Sequence, residues 1–153
     1  MENEHQPLTS IIIGKFGTKQ SLEAKLRRAI IDYDDQVKII VKCTKLKPIA
    51  RINLYKVTNT ELGCDSKDAC FRVLENNGAK RLPLETCLYY CHEIMMAHGS
   101  IEGVLLFYTE PFAYKGTTYS SVVVLEDEDG ISLFCLKTDE GMLAYVYTLV
   151  YTI

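Results

Sequence analysis

Six cysteines and three histidines are the side chains of this chain best suited to chemistry, and six of these nine residues cluster in one third of the sequence. Cys87 and Cys91 lie four apart, a spacing that puts both thiols on one face of a helix; His92 and His98 follow, and Cys64 and Cys70 come before. Four such ligands converging at about 2.0–2.3 Å would hold zinc tetrahedrally, and the candidate set is Cys64, Cys70, Cys87 and Cys91. The spacing departs from the usual zinc knuckles, which place roughly two to four residues between the members of both pairs. A simpler account makes Cys87 and Cys91 small apolar residues of an amphipathic helix, in step with Leu84, Leu88 and Met95. No cofactor is therefore expected.

A cysteine nucleophile needs a base or cation beside it to form the thiolate. Cys91 with a histidine as base, and Glu85 or Glu93 to orient that base, is the available combination. Consecutive helical residues do not face each other, so Cys91 and His92 are poor partners. The expectation is a non-catalytic protein, with a small cysteine- or histidine-dependent enzyme as an alternative.

Charge is divided along the chain. Through residue 60 there are eleven Lys and Arg against six Asp and Glu, and from residue 61 onward six against fourteen. Val37, Ile39, Val41 and Cys43 alternate with Lys38, Lys42 and Thr44, and a second alternating run spans Ile49 to Val57, so this region reads as an antiparallel hairpin. On it, Lys38, Lys42, Arg51 and Tyr55 form the candidate binding face, with cations for phosphates and an aromatic ring for stacking. Nucleic acid is thus an alternative partner, although the chain as a whole is acidic and lacks an RNA-recognition signature. The run Glu126 to Gly130 lacks the later glutamate of a calcium loop and reads as a solvated hairpin turn. Basic and acidic regions on one surface would steer a protein partner or a second copy of the chain. Ten tyrosines and no tryptophan also suit an interface.

The elements that must position these residues follow from periodicity and punctuation. Residues 1–8 read as a flexible tail and Thr9 to Phe16 as a strand. Thr18 caps a helix marked by Leu22, Leu26, Ala29 and Ile30 that stops near Tyr33 to Asp35. Thr58 to Asp68 reads as a loop and Ala69 to Leu74 as a short strand. A turn at Asn76 to Gly78 follows, then a helix opened by Pro83 and ending before Gly99. From Ile101 the pattern is extended, and three sharp turns imply an antiparallel meander whose last run, Met142 to Ile153, is apolar on both faces and therefore central.

At 153 residues, with 48% hydrophobic and 24% charged content, the chain suits a single domain over residues 9–153. The expected fold is α+β, a mostly antiparallel sheet of about seven or eight strands packed with two amphipathic helices centred on Leu26 and Cys91. The polar N-terminus and strand-sized apolar runs lead us to expect a cytoplasmic, non-secreted chain with free thiols and no membrane association. The expected function is protein binding of an adaptor, regulatory or accessory kind, with self-association as a homodimer among the expected partnerships.

Overall fold

The computed structural model describes residues 5–29, 34–142 and 144–153. Among them are seven strands in one mixed sheet and five helices, an α+β fold in which one strand pair is parallel and the rest antiparallel. The strands are β1 (Gln6–Ile13), β2 (Ala50–Thr58), β3 (Leu105–Phe107), β4 (Phe112–Tyr114), β5 (Thr117–Asp127), β6 (Gly130–Lys137) and β7 (Thr148–Tyr151). The helices are α1 (Lys19–Ala29), α2 (Asp35–Cys43), α3 (Asn59–Leu62), α4 (Lys67–Asn76) and α5 (Thr86–Met96).

The last strand is central, as its two apolar faces imply. β7 pairs antiparallel with β2 through Tyr55↔Tyr151 to Thr58↔Thr148, and parallel with β3 through Leu105↔Thr148 to Phe107↔Val150. It does not return beside β6, so the expected meander holds only from β3 to β6. There, Lys115 and Gly116 both take positive φ and close a two-residue hairpin between β4 and β5. β3 and β4 share one edge of β5, and β6 takes the other, joined by the acidic turn at residues 128–129.

Two expected strands are helices. In α2 the run Asp35–Cys43 satisfies both periods, but Val37, Ile40 and Val41 form the buried stripe, and Asp34 Oδ1 accepts from the amides of Gln36 and Val37 at 3.0 and 3.2 Å. That cap satisfies the first free N–H groups and tips a β-branched run into a helix. The hairpin expected over residues 38–56 is therefore absent, and β2 pairs with β1 and β7 instead. In α4 the hydroxyl of Ser66 accepts from Ala69 N at 3.1 Å, and Cys70, Phe71 and Leu74 face inward. Between them, Thr58 and Glu61 form a capping box that folds part of the expected loop into α3.

Other expectations hold with shifted ends. Thr18 caps α1, its Oγ1 accepting from Ser21 N at 3.1 Å. Residues 30–33, where that helix was expected to run on, lie outside the described residues. Pro83 sits in the turn before α5 rather than in its first turn, its carbonyl accepting from Thr86 N. β1 begins at Gln6, inside the stretch read as a tail, and His5 Nδ1 lies 2.7 Å from the Tyr151 hydroxyl.

The sheet carries a core on each face. One face, covered by α1, α2 and α5, buries Ile11, Leu54, Phe107, Val122, Leu133 and Val150. The other, against α4, buries Val57, Leu106, Tyr108, Leu149 and Tyr151 with Phe71 and Leu74. The segment joining α2 to β2 rests on Gly14, whose φ is +78 and whose absent Cβ would lie 2.5 Å from the Lys47 carbonyl oxygen.

Two stability outcomes follow. Deleting residues 148–153 removes β7 and three fully buried side chains, Leu149, Val150 and Tyr151. At ~1.5–3 kcal/mol each, with two ladders lost besides, that exceeds the margin of most domains; the truncated chain should lose its cooperative thermal transition, and an unchanged melting temperature would refute the central role of β7. Gly14→Ala should cost about 2–4 kcal/mol in urea unfolding, from left-handed strain plus the backbone clash. Gly17→Ala, with φ +77 but open space around it, should cost only about 1–2 kcal/mol.

Candidate functional site

The residues singled out in the sequence are dispersed by the fold. Lys38 and Lys42 ride on α2, over one face of the sheet, where Lys38 lies 3.8 Å from Asp35 and Lys42 donates to the Tyr114 hydroxyl at 3.4 Å. Arg51 and Tyr55 alternate along β2 with Ile52 and Leu54, which enter the core beneath α2, so they stand on the opposite face. There Arg51 donates to Ser10 Oγ at 3.0 Å, and Tyr55 stacks on Tyr151 with ring centroids 6.0 Å apart. The four form no common surface.

The cysteines are parted in the same way. Cys87 and Cys91 are fully buried in the core shared with α1 and α2, whereas Cys70, with Cys64 packed beside it, belongs to the core under α4. The sheet lies between the two pairs, so they cannot converge on one ion. Among the described residues no group of three or more His, Cys, Asp or Glu side chains is placed to hold a metal. Burial pushes the Cys91 thiol far above its ordinary value, and Cys135 up to about 12, which holds both protonated. Glu93 pairs with Lys15 at 3.1 Å, and His92 packs edge-on to Phe16 with its Nδ1 buried and unpartnered. Among the described residues, Cys91, a histidine and Glu85 or Glu93 do not come together as nucleophile, base and orienter.

A different site emerges on the α4 side of the sheet. α4 covers the end of this face over β2, β7 and β3, where Phe71 packs on Tyr108 at 4.6 Å between centroids. At its N-terminus Lys67, 3% exposed, donates to Ser120 Oγ and to the carbonyls of Lys137 and Thr138 at 3.1–3.3 Å. Desolvation lowers the Lys67 pKa, opposed by Asp68, Glu140 and Asp139. This staple fixes α4 to the far end of β6 and leaves the remainder of β5 and β6 uncovered. There Val104, Val123, Leu125, Phe134, Leu136, Met142 and Ala144 enclose an apolar groove of about 300 Å³.

The groove follows from strands apolar on both sides. Ile131, Leu133 and Cys135 of β6 point into the core beneath α2, which leaves Phe134 and Leu136 on the other face. Phe134 keeps 43% of its surface exposed, and the neighbouring Tyr145 and Val146 keep 97% and 62%. Of the residues that line the groove, Phe134 is exposed, Val104, Leu125, Met142 and Ala144 are half-buried, and Val123 and Leu136 are buried. Its ends are acidic: Leu125 leads into Glu126 to Asp129, and β6 into Asp139 and Glu140, all exposed. Residues 123–144 hold six acidic side chains and one lysine. Sequence reasoning placed Met142 and Ala144 in a strand and missed this site, although a β6 apolar on both faces, next to two acidic turns, was its visible trace.

One buried group lies apart from the groove. Glu85, at the N-terminal end of α5, is 1% exposed and neither carboxyl oxygen meets a hydrogen-bond partner. Burial raises its pKa, offset in part by the Lys47 backbone and ammonium. Comparison of the chain with protein-family models, with curated proteins and with solved structures finds no match.

A raised carboxyl pKa means that the folded state holds its proton more tightly than the unfolded state. Glu85 therefore contributes stability that is complete below its ordinary value of 4.5 and is lost as pH rises through its folded value. Unfolding free energies of the wild type and Glu85→Gln, measured from pH 4 upward, should diverge above pH 4.5. The wild type alone should lose stability there, by at most ~1.4 kcal/mol per pH unit, before the two curves run parallel. Parallel curves throughout would show that this carboxyl does not titrate differently on folding.

Proposed function

We propose that this chain is a protein-binding module of the regulatory or accessory kind. Its groove on β5 and β6 takes a partner segment that presents aliphatic or aromatic anchors between lysines or arginines. The carrying observation is an apolar groove in which Phe134 stands exposed, between strands that lead into exposed acidic turns. The floor supplies affinity by removing apolar surface from water. The acidic turns supply orientation and rate of encounter, because they attract a cationic segment and repel an acidic one. Phe134 occupies the position of an energetic anchor, central in the groove and half-buried before any partner arrives.

A nuclear magnetic resonance titration with two synthetic amphipathic helical peptides tests this reading. One carries leucines and lysines, and the other carries glutamates in place of the lysines. The lysine peptide should shift the Met142 methyl and the Phe134 ring signals and bind more weakly at high salt. The glutamate peptide should leave them unmoved. Phe134→Glu should weaken the lysine peptide by ~2 kcal/mol, roughly thirty-fold. Equal binding of the two peptides, or none of either, would defeat the proposal.

A further inference from the structure

The segment between α2 and β2 has the chemistry that the groove calls for. From Thr44 to Ile49 it reads Thr-Lys-Leu-Lys-Pro-Ile, with two cations and no acid, and the cation Arg51 follows at the start of β2. Residues 45–51 are exposed, and the two large apolar side chains among them, Leu46 and Ile49, keep 40% and 71% of their surface in water. Few apolar side chains on this molecule are so exposed, and the others are Met96, Ile153 and the residues in or beside the groove, Phe134, Tyr145 and Val146. The loop is also held in shape. Gly14 lets the chain pass against the Lys47 carbonyl, and Lys47 Nζ lies 3.9 Å from Glu110. A loop already ordered loses little further entropy when it binds.

We infer that the occupant of the groove is a second copy of this chain, whose Lys45–Ile49 loop seats Leu46 and Ile49 on Phe134 and Met142 while Lys45 and Lys47 face the acidic turns. This rests on the protein-binding reading of the groove and names its partner. α2 covers β4 and β6 from one side of the sheet, whereas the groove opens on the other side of β3, β5 and β6. The end of this segment is tied down far from the groove: Ala50 and Arg51 pair with Ile13 and Ile12 of β1, and β7 and β3 stand between β2 and the groove strands β5 and β6. A loop cannot fill the groove of its own chain, and the contact between copies is head to tail. Unlike a two-fold dimer contact, a head-to-tail contact leaves one free loop and one free groove at the ends, so that it extends beyond the dimer into a series of oligomers, open or closed into a ring. One short loop in one groove falls below the ~1,200 Å² of a stable interface, so association belongs in the ~10–1,000 μM range and weakens with salt.

Sedimentation velocity of the full chain over that range, at low and high salt, should show concentration-dependent species beyond the dimer that recede with salt. Ile49→Glu blocks the loop and Phe134→Glu blocks the groove; each variant alone should stay monomeric with an unchanged melting temperature. Mixed in equal amounts, they should form a one-to-one dimer and nothing larger, because only one functional loop and one functional groove remain. Should Phe134→Glu unfold, the pair Glu128→Lys and Asp139→Lys, on exposed turns, serves as the groove variant. A wild type that is monomeric throughout, a variant that still assembles, or a mixture that stays monomeric would overturn the inference. Binding of the lysine peptide by such a monomeric wild type would leave the protein-binding reading intact with a foreign partner. Loss of both results would remove both readings.

Discussion

β7 is the strand on which the two halves of this molecule meet. Its four residues bond to β2 on one edge and β3 on the other, and its side chains enter both cores. Without it, β1 and β2 would form an isolated ribbon and β3 to β6 a second one, each with one edge and one apolar face open to water, and a two-stranded ribbon is barely stable on its own. The parallel pairing with β3 is a consequence. A strand entering between an N-terminal hairpin and a C-terminal one must run parallel to one neighbour when the two neighbours themselves run opposite ways.

A central strand buried on both faces requires cover on both faces, and the helices are shared out unequally. Three of them lie over one face, while α4, tied at its N-terminus by Lys67, shields part of the other. A buried lysine amine held only by two carbonyls and a hydroxyl is costly. It fixes α4 where it is and so fixes the extent of the uncovered sheet. The groove is the remainder of that division, and exposed acidic turns follow the strands that line it.

The sheet edges argue for docking by side chains rather than by strand addition. On β6, the Gln36 side chain accepts from Cys135 N at 2.9 Å and Glu140 accepts from Lys137 N at 3.2 Å, so outward-facing amides of this edge are already engaged. On β1, Pro7 and the register shift that follows it interrupt the regular ladder. Both devices discourage edge-to-edge pairing.

Local rules read directly from the residues settled a good part of this molecule. The capped stripe of α1, the helix through Cys87 and Cys91, the hairpin turn after Asp127 and the buried C-terminal run depend on neighbours a few residues away, and all of them are present, whereas the turn at Lys115-Gly116 falls inside a run that reads as one strand. The α+β class and the division of charge are likewise properties of the residues alone. What tertiary structure decided is every case in which two periods fitted one run, or in which proximity depended on topology. Val37 to Cys43 alternates well enough for a strand, and the Asp34 cap together with burial of Val37, Ile40 and Val41 against the sheet made it a helix. Lys38, Lys42, Arg51 and Tyr55 are close in sequence yet end on opposite faces, and so do the two cysteine pairs. Phe134 and Met142 line a groove because of what α4 leaves uncovered. A sequence records which residues are apolar, but only the packed chain determines which of them remain in contact with water.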